Sequence, residues 1–344
     1  MAKITKLSFS PPKVTKGFLS VLPERSRIVL KKRFGLEATP KMTLEAIGKA
    51  YKITRERVRQ IENVALSAIR KSDVYGEYKT VFEELKKLME SYGGVVHEQD
   101  FLDHLTQDKN FQNHLNFFLV LGEEFERLKE DEEFKHRWTL SKDTADKIQE
   151  SLRSLYKNLT EDDLISESDL IVKFFEHLKH VAKETRDEEV ARRWLALSKK
   201  IDKNYLGEWG VAHSPNVKTR GIRDLAYLIL RKHGSPMHFS EVARAITKTF
   251  GRPANIATCH NELIKDKRFV LVGRGLYALT KWGYAKGNVR DIVRSIIERD
   301  GPQTKDEIMK KVLRERYVKE NTVVVNLQSN KYFKKDKDGK YSLL

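Results

Sequence analysis

A single cysteine, Cys259, in 344 residues excludes an internal disulfide framework and suits a reducing compartment. No apolar run reaches the roughly 18 residues of a membrane span, so no segment is expected to cross a bilayer. The opening Met1-Ala2-Lys3-Ile4-Thr5-Lys6 lacks the apolar stretch of a secretory signal, which makes the cytoplasm the expected location. No phosphate-binding loop, nucleophile elbow or metal-hydrolase signature occurs. The expectation is therefore a binding protein that is not an enzyme, with no catalytic residues, cofactor or metal.

Carboxylates are scarce at both ends. Residues 1–72 hold 17 Lys+Arg against 5 Asp+Glu, and residues 213–344 hold 28 against 13. The middle, residues 73–212, reverses the balance with 21 against 31. A formal net charge of +17 thus resolves into two basic ends that suit a polyanion and an acidic middle that DNA phosphate would repel. Double-stranded DNA is the expected partner of the ends, and association with the nucleoid follows. Residues 1–17, with Pro11, Pro12 and Gly17, read as a flexible basic arm.

Several chemical motifs reduce to structural ones. Gly273-Arg274-Gly275 imitates a dinucleotide-binding turn, but strand-like residues follow where a helix would be needed, so a hairpin turn is expected. Arg274 at its tip can enter a minor groove, lie on a phosphate or point to solvent. His177 and His180, three apart on a predicted helix, and adjacent Cys259-His260 lack further ligands at recurring spacing, so neither predicts a metal site. Glu161-Asp162-Asp163 after Thr160 reads as a capped helix start. Phe117, Phe118, Phe174, Phe175 and Trp194 sit in apolar-periodic runs and are expected in cores, whereas Tyr277 and Tyr332 can pack or stack on bases.

The most informative segment is Met42 to Lys71. Thr43 and Thr54 each precede an apolar-periodic run and can accept a hydrogen bond from an amide of the first helical turn. In the first helix Leu44, Ile47 and Ala50 share one side, Gly48 permits close approach, and Tyr51-Lys52-Ile53 makes the turn. In the second, Val58, Ile61, Ala65 and Ile69 form the buried stripe. Arg55, Glu56, Arg59, Gln60 and Asn63 are left outward, with chemistry suited to guanine, cytosine and adenine edges in the major groove. Leu22 to Leu30, Arg33-Phe34-Gly35-Leu36, Thr43 to Gly48 and Thr54 to Glu62 together resemble region 4 of primary bacterial sigma factors, covering about fifty residues. That resemblance implies recognition of the promoter −35 element and contact with the flap of RNA polymerase. It implies base contacts from Arg55, Glu56, Arg59 and Gln60, and phosphate proximity for Arg57, Thr43 and Leu44. Val64 stands where the family has a basic residue, and the aromatic-rich module that melts the −10 element is not recognisable.

Behind this segment one pattern recurs: helix, glycine turn, short extended link, two helices, two strand-like runs. It is predicted over residues 73–140, 219–283 and 286–344, with a diverged helical or winged unit at 141–212. Asp224-Leu225-Ala226-Tyr227, Pro236 to Ala243 and Arg268 to Leu279 resemble the HARE-type winged helix, found in the delta subunit of bacterial RNA polymerase. The expected fold is mainly α: a helix-turn-helix at residues 18–72 followed by tandem winged-helix-like domains with small β-hairpin wings. The expected function is a promoter-reading transcription factor. A delta-like polymerase accessory acting through protein contacts is the alternative, and a nuclease would need a metal-carboxylate cluster that the sequence does not display.

Overall fold

A computed structural model of the chain describes residues 7–178 and 187–344. They form two compact units, one running to Lys203 and including Gly207–Ala212, the other comprising Asn204–Leu206 and His213–Leu344. Helices dominate both, with only short antiparallel strands.

The first unit opens with α1 (Pro11–Ser20), α2 (Glu24–Phe34), α3 (Leu44–Tyr51), α4 (Arg55–Arg70) and the short α5 (Asp73–Glu77). Helix α1 corrects the expectation of a flexible arm for its described residues. Pro11 and Pro12 occupy the first two helical positions, where a missing N–H costs nothing, so they start the helix and do not prevent one. Val14 and Phe18, four residues apart, are buried, and the Phe18 ring centroid lies 5.9 Å from both Phe82 and Phe118. Buried Thr15 Oγ1 shares a 2.7 Å hydrogen bond with His114 Nδ1.

A winged unit follows: α6 (Lys79–Ser91), β1 (Val95–His97), α7 (Glu98–Leu105), α8 (Lys109–Leu121), β2 (Glu126–Leu128) and β3 (Arg137–Thr139). Its sheet is ordered β1-β3-β2, with Val96 opposite Trp138 and Arg127 opposite Trp138 on the other side. No core boundary falls at residue 72. Leu30, Phe34, Leu36 and Ile69 share one apolar cluster with Phe82, Phe117, Phe118 and Trp138. The Arg70 guanidinium donates to the carbonyls of Leu121 and Val120, both at 2.9 Å, satisfying orphan groups at the end of α8.

Next come α9 (Lys142–Lys157), α10 (Glu167–His177), α11 (Glu188–Leu195), β4 (Ile201–Lys203) and β5 (Trp209–Val211). An isolated antiparallel bridge between Ile165 and Trp209 supplies a rudimentary first strand, so this segment repeats the winged order in reduced form. Thr160 to Asp163 is a turn and not the expected helix start. Asp163 accepts from the Thr160 amide at 2.7 Å and its hydroxyl at 2.9 Å, while Ser166 caps the helix that follows.

The second unit holds two further winged folds. One is α12 (Ile222–His233), β6 (Met237–His238), α13 (Phe239–Phe250), α14 (Ile256–Lys265), β7 (Phe269–Gly273) and β8 (Leu276–Leu279). The other is α15 (Val289–Asp300), β9 (Gln303–Thr304), α16 (Lys305–Glu315), α17 (Glu320–Leu327), β10 (Phe333–Lys335) and β11 (Lys340–Leu343). In each sheet the last strand lies between the other two. Gly234 ends α12 at φ 77°, a conformation that excludes most side chains and turns the chain into β6.

Candidate nucleic-acid interface

The helix-turn-helix is built on two threonine caps. Thr43 Oγ1 accepts from the Ala46 amide and Thr54 Oγ1 from the Arg57 amide, both at 3.1 Å, which fixes the first turns of α3 and α4. Between them Lys52 takes the left-handed conformation at φ 54°. The small core beneath is Val29, Ile47 and Val58, closed by Met42, Leu44, Ile53 and Ile61. Ala50, expected on the buried side of α3, is exposed, and Gly48 is buried in its place. At about 100° per residue Gly48 lies only some 40° from Leu44, whereas Ala50 has turned well past it. A Cβ on Gly48 would stand 2.7 Å from the Ile53 carbonyl oxygen, so its lack of a side chain is what lets the turn close.

Arg55, Glu56, Arg57, Arg59 and Gln60 are all exposed on the first two turns of α4, with Asn63 beyond them. They are not independent. Arg59 Nε and Nη2 grip the two carboxylate oxygens of Glu56 at 2.9 and 2.7 Å, and Arg57 Nη1 donates to Gln60 Oε1 at 3.1 Å. Hydrogen bonding from Arg59 holds the Glu56 carboxyl below the usual range, and the same bond raises the guanidinium of Arg59. Arg55 makes no ion pair among the described residues. Exposed pairs of this kind exchange readily for other partners because water already screens them. Thr43 is exposed and Leu44 half-buried at the start of α3. Val64 is 66 % exposed, leaving an apolar patch further along α4.

In the second unit Arg274 is exposed in the turn between β7 and β8, with Gly275 at φ 71°. The third helix of that winged fold, α14, presents Ile256, Thr258, Asn261, Ile264 and Lys265 outward, a face with little positive charge. The final hairpin carries a cluster of basic residues, Lys334, Lys335, Lys337 and Lys340, all exposed. These lysines escaped the motif reading, although Lys334-Lys335-Asp336-Lys337-Asp338-Gly339-Lys340 carries the signal of a charged wing around a tight turn.

Other sequence candidates are structural. Phe117, Phe118, Phe174 and Trp194 are buried, Phe175 packs partly against the core of its own repeat, and Tyr277 is also buried. Tyr332 precedes β10 and lies under the Arg290 guanidinium, 4.3 Å from the ring centroid. Cys259 is buried, and His260 stacks on Phe239 at 4.2 Å. His177 Nε2 shares a 3.2 Å hydrogen bond with the Asn158 amide nitrogen, and His180 lies outside the described residues. Among the described residues no three His, Cys, Asp or Glu side chains are placed to hold a metal, and no helix is long and apolar enough to cross a membrane.

Comparison with known proteins matches residues 18–71 to the model for sigma-70, region 4. Residues 221–282 match the model for the HARE-HTH domain, the helix-turn-helix named in part for ASXL and restriction endonuclease. Over 54 residues the chain is 50 % identical to RNA polymerase sigma factor SigA1 of Synechococcus elongatus, covering 16 % of this chain and 14 % of that protein. It is 55 % identical over 53 residues to RNA polymerase sigma factor RpoS of Coxiella burnetii, covering 15 % of each. With RNA polymerase sigma factor RpoD of Neisseria gonorrhoeae the figures are 46 % over 57 residues, 17 % of this chain and 9 % of that protein. The chain therefore spans about a seventh or less of the length of these relatives. Residues 18–71 are a sigma-70 region 4 domain and residues 221–282 a HARE-type helix-turn-helix domain.

Proposed function

We propose that this protein is a DNA-binding transcription factor that reads −35-like promoter DNA with α4 and contacts RNA polymerase, at its flap, during initiation. The observation that carries this reading is the exposed set Arg55, Glu56, Arg59 and Gln60 on the first two turns of α4, within a sigma-70 region 4 domain. Arg59 would leave Glu56 for a guanine edge, Glu56 would turn to a cytosine amine, and Gln60 would exchange Arg57 for adenine. Arg57 and the start of α3 at Thr43 and Leu44 would lie along phosphate, where a helix N-terminus favours negative charge. Arg274 and the lysines of the last hairpin would add phosphate contacts that carry no sequence information. The mechanism is binding and positioning, in the nucleoid, with no chemical step.

The test is binding of the whole chain to duplexes containing or lacking a −35-like site, before and after replacing Arg59 and Gln60 with alanine. Preference for the site should fall by about 1–3 kcal/mol for each bidentate pair lost, with nonspecific affinity retained. A folded double variant with unchanged preference would sink the base-reading assignment. Affinity should also fall by about 0.9 log units per log unit of salt for each phosphate neutralised.

The weak positive charge on the outer face of α14 supports a second reading, an accessory protein that meets polymerase mainly through protein contacts. A polymerase complex insensitive to salt, formed by a chain with no affinity for duplex, would favour it.

A further inference from the structure

A cleft of about 360 Å³ lies within the first unit, where the sigma-like helices meet the first winged fold. One side is supplied by Arg33 at the end of α2, Lys41 in the loop after it and Glu62 of α4; the other by Asn116 of α8, Arg127 of β2 and Trp138 of β3. Neither set makes a site alone. The Met42 amide donates to the Lys32 carbonyl at 2.7 Å, which holds the Lys41 loop against α2.

The charges of the cleft do not balance. Arg127 is matched by Glu98, gripped at 2.8 and 3.0 Å, and Glu98 also accepts from Trp138 Nε1 at 2.9 Å. Arg33 Nε stands 3.4 Å from Glu62 but is a buried donor without a hydrogen bond. Lys41 has no ion-pair partner among the described residues. Three cations thus face two carboxylates: Arg127 is held by Glu98 and Arg33 is paired, at a long 3.4 Å, with Glu62, which leaves the Lys41 ammonium as the excess charge. Although Lys41 is solvent-exposed as a residue, the protein around its ammonium lowers its pKa, and Arg33 and Arg127 lower it further against the opposing pull of Glu98. Burial pushes the Glu62 carboxyl up, against the pull of Arg33, so it gives up its charge more readily than a free glutamate. A poorly satisfied Arg33 Nε and an excess Lys41 charge crowded against two other cations each carry a free-energy cost, which a bound polyanionic oxygen group would relieve.

We infer that this cleft binds a small phosphorylated ligand, of mononucleotide size, with Arg33 and Lys41 donating to the phosphate oxygens. The volume falls within the range of small-molecule sites and far below what a duplex groove requires. Arginine supplies a planar donor matched to phosphate and lysine a mobile point charge, the usual division of labour at such sites. Asn116 offers an amide to a sugar or base, and buried Trp138 and Phe34 add an apolar lining. The occupant would touch α2 and α4 of the helix-turn-helix together with the winged fold, apart from the base-reading face of α4.

Calorimetric titration of the full-length chain tests this, with 5′-AMP and inorganic phosphate as probes. AMP should bind one per chain, phosphate more weakly at the same site. Lys41→Met should weaken AMP by about tenfold or more, the cost of one charge-assisted hydrogen bond, and Lys41→Arg should restore most of it. A thermal melt of each variant establishes that it is folded; Lys41 is exposed and unpaired, so little change is expected. Absence of saturable heat with either probe, or AMP affinity unchanged in Lys41→Met, would overturn the assignment. So would displacement of AMP by a short duplex with an equal loss of duplex affinity in Lys41→Met, which would give the cleft to the DNA backbone.

Discussion

Glu56 and Arg59 hold each other on the outer face of α4, and their pairing means the face proposed to read bases is organised before any partner arrives. Both are exposed, so the pairing orients the side chains without committing them. Cys259 shows the opposite regime. It is buried in the HARE-type domain, and burial pushes its thiol up to about 11. Because the folded state keeps this proton more tightly than the unfolded chain, its contribution to stability is complete below the ordinary thiol value. That contribution declines as pH rises from about 8.5 toward the folded value. Denaturant midpoints measured at pH 7 and pH 10 should therefore fall more for the wild type than for Cys259→Ala. Thiol-specific alkylation at pH 8 should be slow until the domain unfolds.

At the scale of elements, the tight α3–α4 turn rests on Gly48. Alanine normally favours a helix over glycine by about 1 kcal/mol. Here the added methyl would meet the Ile53 carbonyl oxygen at 2.7 Å, a backbone atom that cannot rotate away. The clash decides the sign. Gly48→Ala should destabilise the first unit by about 1–3 kcal/mol and lower site-specific DNA affinity, seen as a reduced denaturant midpoint with a parallel loss in binding. The turn at Thr160 to Asp163 is likewise decided by one local contact. A threonine followed by acidic residues has the composition of a helix cap, but the carboxylate of Asp163 turns back to Thr160 and closes a turn instead.

Across the whole molecule one topology is used repeatedly, and in the second unit two copies are fastened together. Arg316, buried, donates to the carbonyls of Leu271, Ala285 and Gly287, the last two at 2.6 Å. The Tyr317 amide adds a 2.8 Å bond to the Val272 carbonyl, extending the edge of β7 into the neighbouring winged fold. Burial lowers the Arg316 pKa, the expected cost of a desolvated cation held by carbonyl dipoles at its two terminal nitrogens while its Nε has no hydrogen bond. Arg316→Met should remove these bonds and lower the stability of the second unit by about 1.5–3 kcal/mol per charged bond not replaced by water. Limited proteolysis should then cut near residues 283–288, between the two folds; a cleavage pattern identical to the wild type would mean the clasp is not what joins them.

Most of the local architecture was legible in residue order. Caps at Thr43 and Thr54, apolar spacing, glycine turns and paired strand runs act over a few residues, so the helix-turn-helix and the recurring winged order could be read without coordinates. The exposed face of α4 was legible for the same reason: a helix's buried stripe defines its opposite side. What residue order alone did not reveal depends on partners far apart in the chain. Thr15 meets His114 across 99 residues and Asn113 meets Gly35 across 78, contacts that leave no periodicity to read. Those distant pairs decide that α1 is a core helix, that the sigma-like helices share their core with the first winged fold, and that Arg33 and Lys41 come to share a cleft with Trp138.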